Sequence, residues 1–349
     1  MAIIFGPVAS RRFGSSLGID LSPEQKCCNF DCLYCELAPA KVRGNIANPP
    51  SVAQVITELK KAISTHGATD VITLTANGEP TLYPYLKELI TQINAIKSTQ
   101  KVLILSNGSG AMDKGILESL KELDIVKFSL DSADPLTYRK IDRTLAKPDL
   151  STLIANMSQF AREFKGELVM EVLVLEGLND SEREFELLNT AFGKIKPARV
   201  DISTLDRPPA YANAKAISEE RLRELAPIIT AAPVFVATRK APASIKELSK
   251  SEILKLLALR PQSVADIESG FCESSKKILK SLLNSGQVAI HTCAGVEFYK
   301  LKYLRNSKIC YQTQIKNASR LQMKNVPAKF INNKIIQIKL CKNIFYIQR

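Results

Sequence analysis

The chain of 349 residues has little histidine and no long apolar run. Only His66 and His291 are present, so a metal site built on histidine has few ligands available. No stretch approaches the ~18 uninterrupted apolar residues of a membrane span, and we expect no membrane partner. Met1–Gly6 is too short for the apolar core of a signal peptide, and Arg11 and Arg12 follow it. We therefore expect a cytoplasmic protein.

Acidic residues are absent from residues 302–349, a segment that holds 11 Lys and Arg and no glycine. The whole chain has a net charge of +13, but residues 1–301 carry only +2 of it. The net charge is therefore weak evidence that residues 1–301 bind nucleic acid. The segment is typical either of a disordered extension or of a basic arm for RNA or another polyanion. Its apolar residues also allow a terminal hairpin: Ile335, Ile336, Ile338, Ile344, Phe345 and Ile347.

Strand-like and helix-like segments alternate from about residue 16 to residue 238. Several strand candidates are near-continuous apolar runs, which is typical of a parallel sheet buried on both faces. The candidates are residues 16–21, 71–76, 101–106, 125–130, 167–175, 199–205 and 234–238. Repeated βα units predict an α/β fold, either a barrel or a doubly wound sheet. About six units are too few for a complete eightfold barrel.

Residues 245–301 have a different pattern. Three short helices are predicted over 253–259, 264–271 and 274–283, and a hairpin follows over 288–292 and 296–301. This order is typical of a winged-helix-like domain. The third helix carries three lysines on one side, as a DNA-reading helix does, although a protein docking surface or a solvated face has the same pattern: Lys276, Lys277 and Lys280.

Four of the eight cysteines fall within nine residues. In a cytoplasmic chain this favours metal or redox chemistry over disulfide bonds. Three of them form a C-x3-C-x2-C pattern that can hold a 4Fe–4S cluster and leave its fourth iron open: Cys28, Cys32 and Cys35. A zinc site would need a fourth ligand from elsewhere, because Cys27 cannot comfortably join its neighbour on one metal. We expect Cys27 to be a bystander thiol.

This spacing, with Tyr34 before the last cysteine, resembles the radical S-adenosylmethionine superfamily over about residues 5–240. The resemblance implies an incomplete (β/α)6 TIM-like barrel over residues 1–240. It implies a 4Fe–4S cluster that binds S-adenosylmethionine and cleaves it, giving methionine and a 5′-deoxyadenosyl radical that takes hydrogen from a substrate. An iron–sulfur oxidoreductase of this kind needs a one-electron donor, such as a flavodoxin or a ferredoxin.

Motifs at the strand ends extend the resemblance, because a β/α barrel keeps its chemistry at that edge. Asn77-Gly78-Glu79 looks like the family's Gly-Gly-Glu segment, which binds the methionine ammonium, with Asn77 in place of the first glycine. Ser129 and Asp131 resemble the segment that contacts the ribose hydroxyls, and Tyr34 is expected beside the adenine. Alternatively, the Gly-Glu segment is an ordinary turn, Ser129 and Asp131 form a local cap, and Tyr34 is a packing residue.

Residues 6–20 and 78–82 resemble iron–sulfur oxidoreductases related to the wyosine-base synthases, which modify a guanosine of tRNA. Those enzymes carry a second cluster on cysteines nearer the N-terminus, whereas only Cys27 precedes Cys28 here. A tRNA and a protein are therefore both candidate substrates.

Two arginines near the N-terminus have two possible roles: Arg11 and Arg12 either hold a substrate phosphate or carboxylate, or brace the barrel mouth. A winged-helix regulator that only senses redox state is the alternative function, but a sensor needs no methionine receptor.

Overall fold

The computed structural model describes residues 3–10, 12–67, 69–145, 149–237, 247–259, 261–293, 296–302, 335–340 and 343–348. The chain divides into two compact units, Met1–Leu301 and Lys302–Arg349. Across these described ranges, no helix combines the length and the apolar character that crossing a bilayer requires.

An eight-stranded sheet forms the centre of the first unit, and its strands lie side by side in chain order. β1 pairs with β2 in antiparallel fashion, and each strand from β2 to β8 is parallel to the next. The strands are β1 (Ile4–Ser10), β2 (Gly14–Asp20), β3 (Val71–Thr75), β4 (Lys101–Ser106), β5 (Ile125–Ser129), β6 (Glu167–Val174), β7 (Arg199–Thr204) and β8 (Val234–Val236).

Helices connect the parallel strands. They are α1 (Val52–His66), α2 (Leu86–Ile96), α3 (Lys114–Leu120), α4 (Pro135–Asp142), α5 (Leu150–Glu163), α6 (Glu182–Ile195) and α7 (Glu219–Leu225). The first begins at a capping box between Ser51 and Gln54 and buries one apolar stripe. Six βα crossovers thus lead from β2 to β8, which confirms the predicted α/β class. The carboxyl ends of β2 to β7 all lie at one edge of the sheet.

The sequence does not predict β1. Its residues include Gly6-Pro7 and show no continuous apolar run, because this strand lies at the end of the sheet and much of it is exposed. A register shift between Phe5 and Val8 also interrupts its pairing with β2. The other seven strands lie within two residues of their predicted ends.

The segment after residue 246 packs around a small apolar core of its own. It contains α8 (Lys250–Leu259), β9 (Gln262–Ser263), α9 (Val264–Gly270), α10 (Glu273–Asn284), β10 (Val288–Cys293) and β11 (Val296–Leu301). Helices and hairpin lie where the sequence predicts them, while the winged-helix assignment stays a prediction. Lys276 forms ion pairs with Glu268 and Glu273 at 2.8 and 3.0 Å, so this lysine is engaged within its own segment.

The second unit contains an antiparallel hairpin of β12 (Ile335–Leu340) and β13 (Asn343–Gln348). The hairpin lies on the apolar residues that the sequence indicates for it. The remainder of the predicted basic tail lies outside the described residues.

Candidate active site

Residues 21–35, here called the cysteine loop, follow β2 at the carboxyl edge of the sheet. The loop carries Cys28, Cys32 and Cys35, which are free, partly exposed and close enough for their charges to interact. Cys27 is free as well, but it is completely buried in the core beneath the loop. The three cysteines of the predicted motif therefore lie at the edge where a β/α fold places its chemistry.

The end of β3 holds one side of the cysteine loop. The N–H of Cys27 donates to the carbonyl of Asn77 at 2.8 Å, and the N–H of Glu79 donates to the carbonyl of Cys27 at 2.9 Å. Gly78, between these two bonds, has a φ of +136°, and a Cβ there would lie 1.8 Å from the Cys27 carbonyl oxygen. Only glycine allows this close approach, which explains the Gly-Glu pair at this strand end.

The end of α4 holds the other side of the loop. The N–H groups of Asp31 and Leu33 donate to the carbonyls of Asp142 and Ile141, at 3.2 and 2.9 Å. The guanidinium of Arg143 pairs with the carboxylate of Asp31. The loop is therefore anchored on both sides, and its cysteines have a defined position before any ligand binds.

Hydrogen-bond donors point at two of the three sulfurs. Lys26 Nζ lies 3.2 Å from Cys35 Sγ, and the N–H of Phe30 lies 3.4 Å from Cys28 Sγ. The amide of Asn107 approaches Cys28 Sγ at 3.8 Å. Burial raises the pKa of Cys28 to about 12, so its free thiol keeps its proton until a metal displaces it. Donors aimed at sulfur stabilise a ligating thiolate.

The three cysteine thiols of the loop are the donor set that a cubic iron–sulfur cluster uses. Among the residues that the structure describes, no three His, Cys, Asp or Glu side chains converge as the ligands of one ion must. A cubic cluster takes each thiolate on a different iron, so its three cysteines need not converge on one point.

Glu79 is buried, with 1% of its surface exposed. Its Oε1 accepts hydrogen bonds from the N–H and hydroxyl of Thr81, at 2.9 and 2.6 Å, and from the Ser106 hydroxyl at 2.8 Å. Its Oε2 accepts from the N–H of Asn107 at 2.7 Å. These bonds cap a 3₁₀ turn over Pro80–Leu82 and join β3 to β4. A methionine ammonium would share oxygens that four donors already occupy, so the predicted contact competes with a structural role.

Asp131, just after β5, is buried but less fully bonded. Its Oδ1 accepts from the N–H of Leu173 at 2.7 Å, and the hydroxyl of Tyr34 donates to the same carboxylate. Oδ2 has no donor among the described residues. The predicted adenine residue and one predicted ribose residue thus lie next to one another.

A second buried carboxyl group lies beside Asp131. Asp142 accepts a hydrogen bond from the thiol of Cys32 at 3.4 Å and shares one with Asp131. Burial raises the pKa of Asp131 to about 6, and burial together with the charge of Asp131 raises the pKa of Asp142 well above its ordinary value. The pair therefore holds a proton that supplies a donor between the two carboxyl groups.

A cavity of about 650 Å³ opens beside the cysteine loop. Four of the predicted site residues line it, namely Tyr34, Cys35, Ser129 and Asp131. Asn77, Gly78 and Glu79 do not line the cavity, because they lie on the β3 side of the loop. The structure thus brings the predicted ribose and adenine residues together around one space and places the predicted methionine segment on the opposite side of the cysteines.

Four charged side chains form a network beside this cavity: Arg12 and Glu171 line it, and Lys127 and Asp201 are buried behind them. Arg12 pairs with Glu171 at 2.6 Å and lies 3.3 Å from Asp201. Lys127 pairs with the same two carboxylates at 2.6 and 3.1 Å. Arg12 thus pairs with carboxylates and also lines the cavity, so bracing of the barrel mouth and binding of a substrate phosphate or carboxylate both stay predictions; Arg11 lies outside the described residues.

Sequence reasoning missed four residues of this site. Lys127, Glu171 and Asp201 lie in strands β5, β6 and β7 that are otherwise apolar, and a charge inside such a strand is a usable signal for an interior polar network. Asp142 gives no such signal, because it ends an ordinary amphipathic helix and reaches Cys32 only through the fold.

The family model of the Radical SAM superfamily matches residues 25–187. A UPF0026 protein of Helicobacter pylori strain J99 is 39% identical over 302 residues, which cover 86% of this chain and 97% of that protein. The UPF0026 protein slr1464 of Synechocystis is 33% identical over 209 residues, covering 59% of this chain and 76% of that protein.

The fold is also similar to that of solved structures. Streptococcus suis SuiB bound to S-adenosylmethionine aligns with a TM-score of 0.49 at 18% identity, covering 62% of this chain and 49% of that chain.

Proposed function

Since this chain belongs to the radical S-adenosylmethionine superfamily, together with the UPF0026 proteins, we propose that it cleaves S-adenosylmethionine reductively and takes a hydrogen atom from a substrate. The family uses a 4Fe–4S cluster and S-adenosylmethionine as cofactors. The proposal makes the chain an iron–sulfur oxidoreductase, with Cys28, Cys32 and Cys35 as the cluster ligands. Membership in a family of enzymes gives no support to the alternative of a redox-sensing regulator.

One observation carries the proposal. Three cysteines on an anchored loop lie at the carboxyl edge of a β/α sheet, and the last of them lines a cavity of about 650 Å³. A cluster there lies beside a space in which a small molecule fits. When bound, the cluster supplies the electron that breaks the sulfonium bond, giving methionine and a 5′-deoxyadenosyl radical.

The chain's own residues orient S-adenosylmethionine. We assign the ribose hydroxyls to Ser129 and Asp131, and the adenine to the side of Tyr34, because all three residues line the cavity. The methionine ammonium is assigned to the backbone carbonyl of Gly78, since the Asn77 carbonyl already accepts from Cys27 and Ser22, and Glu79 is the residue that fixes this backbone. An ammonium offers only donors, so carbonyl oxygens are suitable partners.

The substrate occupies the part of the cavity that these residues leave free. Its inner wall is the Arg12–Glu171 pair, whose charges are balanced, so the wall selects neither anions nor cations by net charge. A base of tRNA and a protein side chain both remain candidate substrates. A one-electron donor such as a flavodoxin or a ferredoxin is the required partner.

The test is reductive cleavage by protein reconstituted under anaerobic conditions. We expect about four irons per chain and the formation of 5′-deoxyadenosine and methionine on reduction. Cys32→Ala should abolish both, whereas Cys27→Ala, a matched change of the neighbouring buried thiol, should retain both. Full iron loading in Cys32→Ala would refute the ligand assignment, and iron loading without any cleavage in the wild-type protein would refute the enzymatic function.

A further inference from the structure

β11 presents two different faces, because side chains alternate along a strand. Tyr299 and Leu301 pack against the small core of the C-terminal segment. Val296, Phe298 and Lys300 lie on the other face. β11 is the central strand of a three-stranded sheet, and in a small independent domain the face turned away from the core would be exposed to water, yet Phe298 is only 2% exposed.

The second face of β11 packs on the cysteine loop. Phe298 belongs to one apolar cluster with Leu33, which lies between the second and third cysteines, and with Ile141 of α4. Residues that follow β6 and β7 complete this cluster, and Tyr34 and Val296 pack at its edge. The hairpin is therefore continuous with the core beneath the candidate cluster site.

Lys300 lies near the last cysteine of the motif. Its Nζ donates to the carbonyl of Pro208 at 3.4 Å, and the N–H of Ala210, two residues further along, donates to the carbonyl of Cys35 at 2.8 Å. Lys300 lies close enough to Cys35 and Glu36 for their charges to act on it. With Lys26, which contacts Cys35 Sγ directly, two ammonium groups lie near this cysteine.

We propose that the β10–β11 hairpin is a wall of the cluster site, with Phe298 sealing the cysteine loop and Lys300 placing positive charge beside Cys35. This inference rests on the proposed function, in that it takes Cys35 as a cluster ligand. It assigns the C-terminal segment a role within the active site, separate from any contact with nucleic acid.

The charge of Lys300 acts on the reduction potential. Reduction adds one negative charge to the cluster, and a nearby ammonium stabilises the reduced form by Coulomb attraction. The apolar seal strengthens this attraction, because it excludes water and lowers the local dielectric constant. Removing the ammonium should therefore shift the potential to more negative values, and removing the seal should expose the cluster.

The deciding experiment compares Lys300→Gln with Lys280→Gln, an exposed lysine of α10 in the same segment. Both full-length proteins are loaded with iron anaerobically, and midpoint potentials are measured by titration with spectroscopic detection of the reduced cluster. We expect full iron content in both, and a more negative potential only in Lys300→Gln. An unshifted potential in Lys300→Gln would overturn the proposal.

A second comparison tests the seal. Phe298→Ala should release iron to a chelator several-fold faster than Ile290→Ala, in which a 40% exposed apolar residue of β10 is truncated. Equal release rates would overturn the sealing role. Failure of the proposed function would give a different result. The wild-type protein would then bind no iron at these cysteines, and no midpoint potential could be measured in any variant.

Discussion

Glu79 and Asp131 are both buried carboxylates beside the cysteine loop, but their surroundings differ. Four donors from the chain surround Glu79, and its oxygens are occupied. Asp131 receives one backbone N–H and the Tyr34 hydroxyl, and it shares a proton with Asp142. Glu79 holds the framework on the β3 side of the loop, whereas Asp131 lines the cavity.

This difference bears on the predicted role of Glu79 in binding the methionine ammonium, which stays a prediction. A glutamate in a family motif resembles a ligand-binding residue, and here its carboxylate holds the turn that positions Gly78 against Cys27. The backbone of the motif faces the cysteine loop, and the side chain keeps it there. Burial raises the pKa of Glu79 above its ordinary value, and its hydrogen bonds from Thr81, Asn107 and Ser106 oppose this rise in part.

Glu79→Ala should therefore lower the stability of the cluster-free protein more than any other change considered below. The substitution leaves the N–H groups of Thr81 and Asn107 buried without partners, at a cost on the order of 3–5 kcal/mol. Denaturant unfolding of the variant and the wild type measures this loss. Unfolding free energies that agree within error, together with a ten- to hundredfold weaker affinity for S-adenosylmethionine, would make Glu79 a ligand residue and abolish the contrast with Asp131.

Glu171→Gln tests a third carboxylate beside the site, in which nearby positive charges compensate for burial. Burial opposes the ionisation of Glu171, but Lys127 and Arg12 outweigh it and lower its pKa to about 2. An acid whose pKa falls on folding stabilises the folded state above its unfolded pKa, and this contribution is lost as the pH falls toward 2. At about 1.36 kcal/mol per pKa unit, the contribution is at most about 3 kcal/mol.

Thermal unfolding of the cluster-free protein between pH 3 and pH 7 measures this effect. We expect the wild-type melting temperature to fall with acid and the Glu171→Gln curve to be flatter and lower at pH 7. Glu58→Gln, which changes an exposed residue of α1, is the control and should follow the wild type. A Glu171→Gln curve parallel to the wild type would show that the ion pairs do not stabilise the fold.

Asp131→Asn should affect ligand binding more than stability, whereas Glu79→Ala should affect stability more. We expect a change in unfolding free energy below about 1 kcal/mol, because an amide can donate to Asp142 where two carboxyl groups now share a proton. The affinity of the iron-loaded protein for S-adenosylmethionine should fall roughly tenfold, as a charge-assisted hydrogen bond to a ribose hydroxyl is lost. Calorimetric titration measures it, and an unchanged affinity would remove Asp131 from the binding site.

The sequence was sufficient to predict the seven parallel strands of the sheet and the cysteine motif, because both depend on local pattern. Buried parallel strands are apolar runs, and the predicted cluster ligands share one short loop. The contact between Cys32 and Asp142 spans 110 positions and depends on how α4 packs, which no local pattern contains. The occupied oxygens of Glu79 depend in the same way on β4, whose end supplies two of the four donors.

The hairpin shows a further limit of sequence reasoning. The alternation of β11 is visible in the sequence, but an apolar residue on each face is compatible both with a small domain and with a shared core. Only the position of Leu33 against Phe298 distinguishes the two. The winged-helix pattern therefore predicted the elements correctly without indicating what they cover.

The smallest expected effect is that of truncation after Leu301, which removes 11 positive charges and no residue of the candidate site. The first unit ends at that residue, and both carboxylates and all three cysteines of the motif lie within it. We therefore expect unchanged iron content and S-adenosylmethionine cleavage. Any loss should be confined to salt-sensitive association with polyanions, since counterion release makes phosphate binding steeply dependent on salt.

The measurement is the binding of tRNA by the full-length and truncated proteins across a salt series. Weak and equal binding would leave the substrate to the cavity alone, whereas tight binding that disappears on truncation would make residues 302–349 a substrate arm.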